Sequence, residues 1–235
     1  MGTMRRLLAV LALVLAFAQP ALAETISTRS WTDADGTVWT ETVEEVVEEQ
    51  GSERFVAAPA VDVPAIASFG PFRVLDPGRA ALVGETDGFT PHEFQAMLRA
   101  FPGVQVLEMI DCPGTVDDTA NLRLGRMIRA AGLTTHVPAD GSVRSGAVEL
   151  FLAGANRSAE PSAEFAVHSW LDTNGQEAGD FAADDPVNRT YLAYYREMGL
   201  TPENAAAFYA LTNSVPNEQA LWLHTSDVAR FISLN

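Results

Sequence analysis

The chain has 235 residues and carries a formal net charge of −16 at pH 7, with 31 acidic residues against 15 basic ones. This balance excludes nucleic acids and anionic membrane surfaces as expected partners. All the basic residues are arginines, so mechanisms that need a lysine amine, such as Schiff-base formation or Ser–Lys hydrolysis, are excluded as well.

The chain begins with the pattern of a secretory signal peptide, residues 1–23. Arg5 and Arg6 precede an apolar run from Leu7 to Phe17, and Ala21-Leu22-Ala23 provides a small-x-small cleavage site. The apolar run is shorter than the about 20 residues that a membrane-spanning helix needs. We therefore expect a periplasmic or secreted protein that begins at Glu24 and has no membrane anchor after cleavage.

Residues 24–70 differ in composition from the rest of the chain. Trp31 and Trp39 flank Asp35-Gly36, a pattern typical of a turn between two strands. The acidic run that follows is expected to be a solvated face, because "DADG" lacks the remainder of a calcium-binding loop. A proline-rich piece comes next. We predict an acidic hairpin and linker over 24–70 and one domain over 71–235.

From Arg79 onward, short apolar segments alternate with segments of helical spacing. The strand-like segments are "RAALVGE", "VQVLEMI", "LTTHV" and "AEFAVHS". Thr90 is expected to cap the first helix, and a later helix is expected to begin at about Ser145. Apolar residues at helical spacing also indicate helices near 124–131, 191–198 and 202–211, and a short turn near 225–231. This alternation predicts an α/β fold with crossover connections.

Ser145 lies in "GSVRSGAVELFLAG", at the start of a predicted helix whose N-terminus favours an anion. Gly146 leaves the next N–H open to a substrate oxygen, and Gly114 and Thr115 form a tight turn that offers a second oxyanion donor. His168 ends another strand and can serve as a general base. Each feature also has a structural explanation, since serine is a common helix cap.

The order of four motifs resembles the Clp-protease and crotonase superfamily, most closely its exported bacterial branch of Clp-like predicted periplasmic proteins. The motifs are "DCPGT" at 111–115, "LGRMIRAAGLTTHV" at 124–137, "VRSGAVELFLAG" at 143–154 and "AVHSW" at 166–170. The resemblance extends from about residue 79 to the C-terminus. It implies a crotonase/Clp-like fold of repeated strand-helix units, to which the N-terminal hairpin is a small extension.

Carried over to this chain, the resemblance implies that Ser145 is the nucleophile and His168 the base. The oxyanion hole would consist of the N–H groups around Gly114 and Thr115 and that of Gly146. Thr115 replaces the second glycine of the family's turn, and a residue with a β-carbon is less tolerant of positive φ. The cysteines that flank the serine in the branch are absent.

The third catalytic position has no aspartate in the corresponding segment, "ALTNSVPNEQALW". Asn213 or Asn217 is therefore expected to hold the imidazole, and Glu218 and Asp172 are less favoured. Glu149, one helical turn after the serine, is expected to pair with an arginine rather than to take part in catalysis.

Two functions stay open. The first is an exported serine hydrolase, a peptidase that acts on peptide or protein substrates through an acyl-enzyme. The second is a catalytically inactive Clp-like binding or assembly module in the periplasm, which the altered turn and the missing acid favour. Acyl-CoA chemistry, as in crotonases, is a weaker third hypothesis, because an exported protein is rarely exposed to that substrate and an acidic surface repels it.

No cofactor and no metal are expected, because the histidines form no HExxH pattern and cysteine pairs are absent. Cys112 is the sole cysteine and is expected to be structural, so no intramolecular disulfide can form. A homo-oligomer is left open.

Overall fold

The computed structural model describes the backbone of residues 23–32 and 38–47 and the whole of residues 62–235. The predicted signal peptide, residues 1–23, lies outside the described residues except for its last residue. Two strands, β1 (Ala23–Thr32) and β2 (Val38–Val47), pair antiparallel with Trp31 opposite Trp39. The hairpin extension expected from the two tryptophans is therefore confirmed, although Asp35 and Gly36 themselves fall outside the described residues.

Residues 62–235 contain nine further strands in one sheet and six helices. The strands are β3 (Ala67–Phe69), β4 (Phe72–Asp76), β5 (Arg79–Val83), β6 (Val106–Cys112), β7 (Thr134–Val137), β8 (Ser142–Arg144), β9 (Asn156–Ala159), β10 (Glu164–Val167) and β11 (Leu221–His224). The helices are α1 (Thr90–Ala100), α2 (Asp118–Ala130), α3 (Ala147–Leu152), α4 (Pro186–Glu197), α5 (Pro202–Thr212) and α6 (Thr225–Val228).

The centre of the sheet is parallel. Helix α1 connects β5 to its parallel neighbour β6, and α2 connects β6 to β7, so both are crossover connections. Antiparallel strands lie at two of the edges, β3 and β4 beside β5 and β11 beside β10. This arrangement confirms the predicted α/β class, because crossover helices are what parallel strands require.

The sheet divides at β6. The first half of β6 pairs with β7, which in turn pairs with β9. The last two residues of β6, Asp111 and Cys112, pair with β8, which in turn pairs with β10. The carboxyl ends of β6, β8 and β10 therefore lie side by side, and the segments after them meet at one edge of the sheet.

The core lies between the sheet and the helices. Leu82, Leu107 and Met109 on the central strands are fully buried, as are Phe94 and Met97 on the predicted apolar stripe of α1. Burial of side chains of this size stabilises the fold by about 1.5–3 kcal/mol each. No helix among the described residues is both long and apolar enough to cross a bilayer.

Three local expectations are corrected by the structure. Thr90 is the first residue of α1 rather than its cap, because the Asp87 carboxylate accepts hydrogen bonds from the N–H groups of Phe89 and Thr90 at 2.9 and 3.0 Å. The third helix begins at Ala147 rather than at about Ser145. The strand Ala67–Phe69 belongs to the sheet, although its sequence lies in the segment assigned to the linker.

Candidate active site at the edge of the sheet

Ser145 lies in a sharp turn between β8 and α3. Its φ is +51°, in the left-handed region that residues other than glycine rarely adopt. Its N–H donates to the Ala166 carbonyl at 2.8 Å, and its own carbonyl accepts from the Val148 N–H at 3.0 Å. Such a conformation costs about 1–3 kcal/mol and occurs at functional sites, including strand-turn-helix turns that present a nucleophilic serine. The side chain is partly exposed.

A partly buried ion pair holds the strand that leads to the serine. The Arg144 guanidinium lies 2.8 Å from Asp111 Oδ1 at the end of β6, and it also donates to Ser142 Oγ at 2.6 Å. The side chains of both charged partners are about 15% exposed. These contacts fix the end of β8 against β6, so the position of Ser145 is set by the parallel sheet.

The turn after β6 packs directly against Gly146. A Cβ added to Gly146 would lie 2.5 Å from Thr115 Cγ2, so only glycine fits at this position. Asn121 Nδ2 on α2 donates to the Gly146 carbonyl at 2.7 Å, and Asn121 Oδ1 accepts from Thr86 Oγ1 at 3.1 Å. The two segments predicted to form an oxyanion hole are thus brought together, around a buried asparagine that the sequence analysis missed.

The replacement of a glycine by Thr115 does not strain the turn. Gly114 alone adopts a positive φ there, +135°, while Thr115 has a negative φ and its hydroxyl donates to the Thr86 carbonyl at 3.0 Å. Within residues 62–235, no hydrogen bond occupies the N–H groups of Gly114, Thr115 or Gly146. These N–H groups are consequently available to a substrate oxygen.

His168 directly follows β10, beside the serine. Arg144 on β8 is in register with Ala166 on β10, so Ser145 lies level with Val167 and one residue short of His168. Neighbouring strands are about 4.8 Å apart, so Ser145 and His168 lie on adjacent segments at one edge of the sheet. The imidazole is partly buried.

Asn217, rather than Asn213, is the asparagine at the imidazole. Asn217 Nδ2 lies 2.9 Å from His168 Nδ1 and donates to the Ser169 carbonyl at 2.8 Å. Asn213 instead ends α5, where its Nδ2 donates to the Tyr209 carbonyl at 2.7 Å. Asp172 binds the N–H groups of its own turn, at Asn174 and Gln176.

Glu149 is buried near the site, and the expectation that it pairs with an arginine is wrong. Its Oε1 accepts from the Tyr195 hydroxyl at 2.7 Å, and its main-chain carbonyl accepts from the Tyr194 hydroxyl at 2.7 Å. Burial raises the pKa of the carboxyl to about 7, and the tyrosine hydrogen bond offsets only part of that rise. Near neutral pH this carboxyl is therefore only partly ionised.

Asp118, the first residue of α2, is a further acid that the sequence analysis missed. Part of the residue is exposed, yet burial of its carboxyl raises the pKa, and Asp117 raises it further. A hydrogen bond from the Tyr191 hydroxyl and attraction to His168 act in the opposite direction. The sequence signal that could have identified Asp118 is its position as an acidic residue in the first turn of the helix that follows the Gly114 turn.

Stacked aromatic rings support the segment that follows His168. Trp170 and Tyr191 are parallel to within 8° at 6.1 Å, and Tyr191 stacks on Tyr209 at 5.8 Å. The Trp170 indole also donates to the Tyr209 hydroxyl at 2.8 Å. This packing fixes the chain beyond the histidine to helices α4 and α5.

Cys112 is fully buried, and its Sγ lies 3.3 Å from the Leu82 carbonyl. Burial raises the pKa of the thiol far above its usual range, so the thiolate that nucleophilic chemistry needs does not form.

Among the described residues, no three His, Cys, Asp or Glu side chains cluster in a way that could hold a metal ion.

No protein-family model and no curated protein matches the chain. Solved structures of proteases are similar to it. The 1510-N membrane protease from Pyrococcus horikoshii, specific for a stomatin homolog, is 10% identical, with 66% of this chain and 69% of that chain covered and a TM-score of 0.44. A variant of the 1510-N membrane-bound stomatin-specific protease in complex with a substrate peptide is 14% identical, with 64% and 72% covered and a TM-score of 0.41.

A variant of ClpP1 from Listeria monocytogenes is also similar. It is 17% identical, with 66% of this chain and 87% of that chain covered and a TM-score of 0.46. At these identities the similarity concerns the fold alone.

Proposed function

We propose that the protein is an exported serine hydrolase, a peptidase, with Ser145 as nucleophile and His168 as general base. The observation that carries this proposal is the strained backbone of Ser145 next to three unoccupied N–H groups at 114, 115 and 146. A serine that only capped a helix would need neither the left-handed conformation nor the open donors.

The proposed reaction follows from this arrangement. His168 Nε2 accepts the proton of Ser145 Oγ while Oγ bonds to the substrate carbonyl carbon. The carbonyl oxygen becomes an oxyanion and accepts hydrogen bonds from the N–H of Gly146 and from the turn at Gly114, each such donor contributing about 3 kcal/mol. The imidazolium then protonates the leaving amine as the C–N bond breaks, and water hydrolyses the acyl-enzyme by the same steps.

The finer parts of the proposal rest on the sequence. The basic, apolar and small-residue order of residues 1–23 supports export to the periplasm or the medium. A peptide or protein substrate follows from the motif order around Ser145 and His168. The function needs no cofactor, because every group in the proposed reaction is a side chain or main-chain group of this chain.

A catalytically inactive binding module is the second candidate. One observation favours it: the Nδ1 atom of His168 faces an amide and a main-chain carbonyl, which are neutral, and a neutral partner stabilises an imidazolium less than a carboxylate does. Both candidates use the same edge of the sheet, so covalent reactivity of Ser145 separates them.

The test is a fluorophosphonate probe applied to the purified mature protein, followed by mass spectrometry of the labelled peptide. The wild type is expected to be labelled at Ser145, and the Ser145→Ala and His168→Ala variants are expected to stay unlabelled. Ser162→Ala, which changes an exposed serine elsewhere, is the matched control and should be labelled like the wild type. A folded wild type that stays unlabelled would establish the binding module instead.

A further inference from the structure

Three polar groups converge beside the imidazole of His168. Nδ1 of His168 lies 2.8 Å from the Ser169 carbonyl oxygen, and Asn217 Nδ2 lies 2.8 Å from the same oxygen. The two nitrogens are 2.9 Å apart. Asn217 is 7% exposed, and its main-chain N–H donates to the Glu177 carboxylate at 2.8 Å, so the side chain is held in place.

The contact with the Ser169 carbonyl is compatible with only one position of the imidazole proton. A carbonyl oxygen only accepts hydrogen bonds, and an unprotonated Nδ1 at 2.8 Å would direct one lone pair against another. Nδ1 therefore carries the proton and donates to the Ser169 carbonyl, which leaves the lone pair on Nε2. That is the tautomer a general base needs.

The contacts of Asn217 define its role. Its Nδ2 donates to the Ser169 carbonyl. With the proton on Nδ1, the 2.9 Å contact between Nδ2 and Nδ1 brings two donors together; with the proton on Nε2, the same contact is a hydrogen bond from Asn217 to Nδ1. An exchange of the amide oxygen and nitrogen would place two oxygens 2.8 Å apart and remove this donor. The orientation with Nδ2 toward Ser169 avoids that contact between oxygens, and it leaves Oδ1 of Asn217 buried without a hydrogen-bond partner among the described residues.

We propose that the main-chain carbonyl of Ser169, held in place by Asn217, takes the role of the third catalytic group by keeping His168 in the Nδ1–H tautomer. Asn217 is then a positioning residue that acts through the carbonyl rather than on the imidazole. The catalytic consequence rests on the proposed hydrolase function, whereas the tautomer does not.

The alternative is that Asn217 takes the place of a triad aspartate and that its amide oxygen accepts the hydrogen bond from Nδ1. The two possibilities predict opposite effects of Asn217→Asp. If Asn217 is a donor to Ser169, the new carboxylate lies against a carbonyl oxygen and displaces it, so the reaction slows. If Asn217 is the acceptor, the carboxylate completes a triad and the reaction accelerates.

The first measurement is the ¹⁵N NMR signature of His168 in the full mature chain, assigned by loss of its signals in His168→Gln. The Nδ1–H form at a pH where the imidazole is neutral is the expected result, and the Nε2–H form would overturn the proposal. This measurement needs neither activity nor a variant at Asn217, so it stays decisive if the hydrolase proposal fails or if the Asn217 variant does not fold.

The second measurement is the rate of fluorophosphonate labelling of Asn217→Asp. We expect a loss of about tenfold or more, as when a buried acceptor loses its donor. Gln219→Glu, which adds the same charge at an exposed position two residues away, should label at the wild-type rate. Faster labelling of Asn217→Asp than of the wild type would show that Asn217 is itself the acceptor and would overturn the proposal.

Discussion

Ionisation of Glu149 should make the folded protein less stable as the pH rises. The carboxyl is buried against Tyr195 of α4 and is repelled by the negative charge of Asp118 on α2. Burial is the main cause that raises its pKa from an ordinary 4.5 to about 7. The group therefore ionises earlier in the unfolded chain than in the folded one.

The sign and size of the effect follow from linkage. Below about pH 4.5 the carboxyl is protonated in both states and costs nothing, whereas above about pH 7 it is ionised in both states and its burial opposes folding in full. At about 1.4 kcal/mol per pH unit, the loss across this window is about 3 kcal/mol. In Glu149→Gln, which resembles the protonated acid, this pH-dependent loss should be absent.

The assay is urea unfolding of the wild type and of Glu149→Gln at pH 4.5 and pH 8. The titration of the other acids cancels in the difference between the two proteins. We expect the wild type to lose about 3 kcal/mol relative to the variant between these pH values. Glu160→Gln, at an exposed position, should show no such change. A constant difference between wild type and Glu149→Gln at both pH values would refute the reasoning from burial.

Two further predictions concern the oxyanion turn and the leader segment. Gly146→Ala places a methyl group 2.5 Å from Thr115 Cγ2, so we expect a loss of stability of about 1–3 kcal/mol and slower labelling by the probe. Adding Thr115→Ser to this variant removes Cγ2 but keeps the hydroxyl. In thermal unfolding, the double variant should therefore regain part of the lost stability. If it regains none, the added methyl group does not contact Thr115 directly. Export is checked by N-terminal sequencing of protein recovered from the periplasm or medium, which should begin at Glu24, whereas an intact Met1 would contradict it.

The parts of the site that were predictable are those that a local pattern determines. Ser145 and Gly146 were found because a small pair precedes an apolar segment of helical spacing, and Gly114 because a glycine ends a strand. The three-residue strand before Ser145 was not found, since it contains Arg144 and owes its extended form to pairing with β6 and β10 on either side.

The surroundings of the site depend on contacts between distant segments, which a single sequence does not contain. Asn121 and Asp118 lie on α2, and Glu149 meets a tyrosine 46 residues further along the chain. The choice between Asn213 and Asn217 also depends on where α5 ends. Helix α5 includes Thr212 and Asn213 forms its C-terminal cap, so only Asn217 lies far enough along the chain to return to β10.

The left-handed backbone at Ser145 also has a consequence for how this chain and its relatives change over evolutionary time. A side chain at that φ costs about 1–2 kcal/mol, a cost that glycine does not have and that asparagine tolerates better than most residues. In a relative that no longer needs the serine hydroxyl, replacement by glycine or asparagine at position 145 stabilises the fold, whereas replacement by alanine does not. Among related sequences, serine here thus indicates continued selection for the hydroxyl, and glycine or asparagine indicates its release.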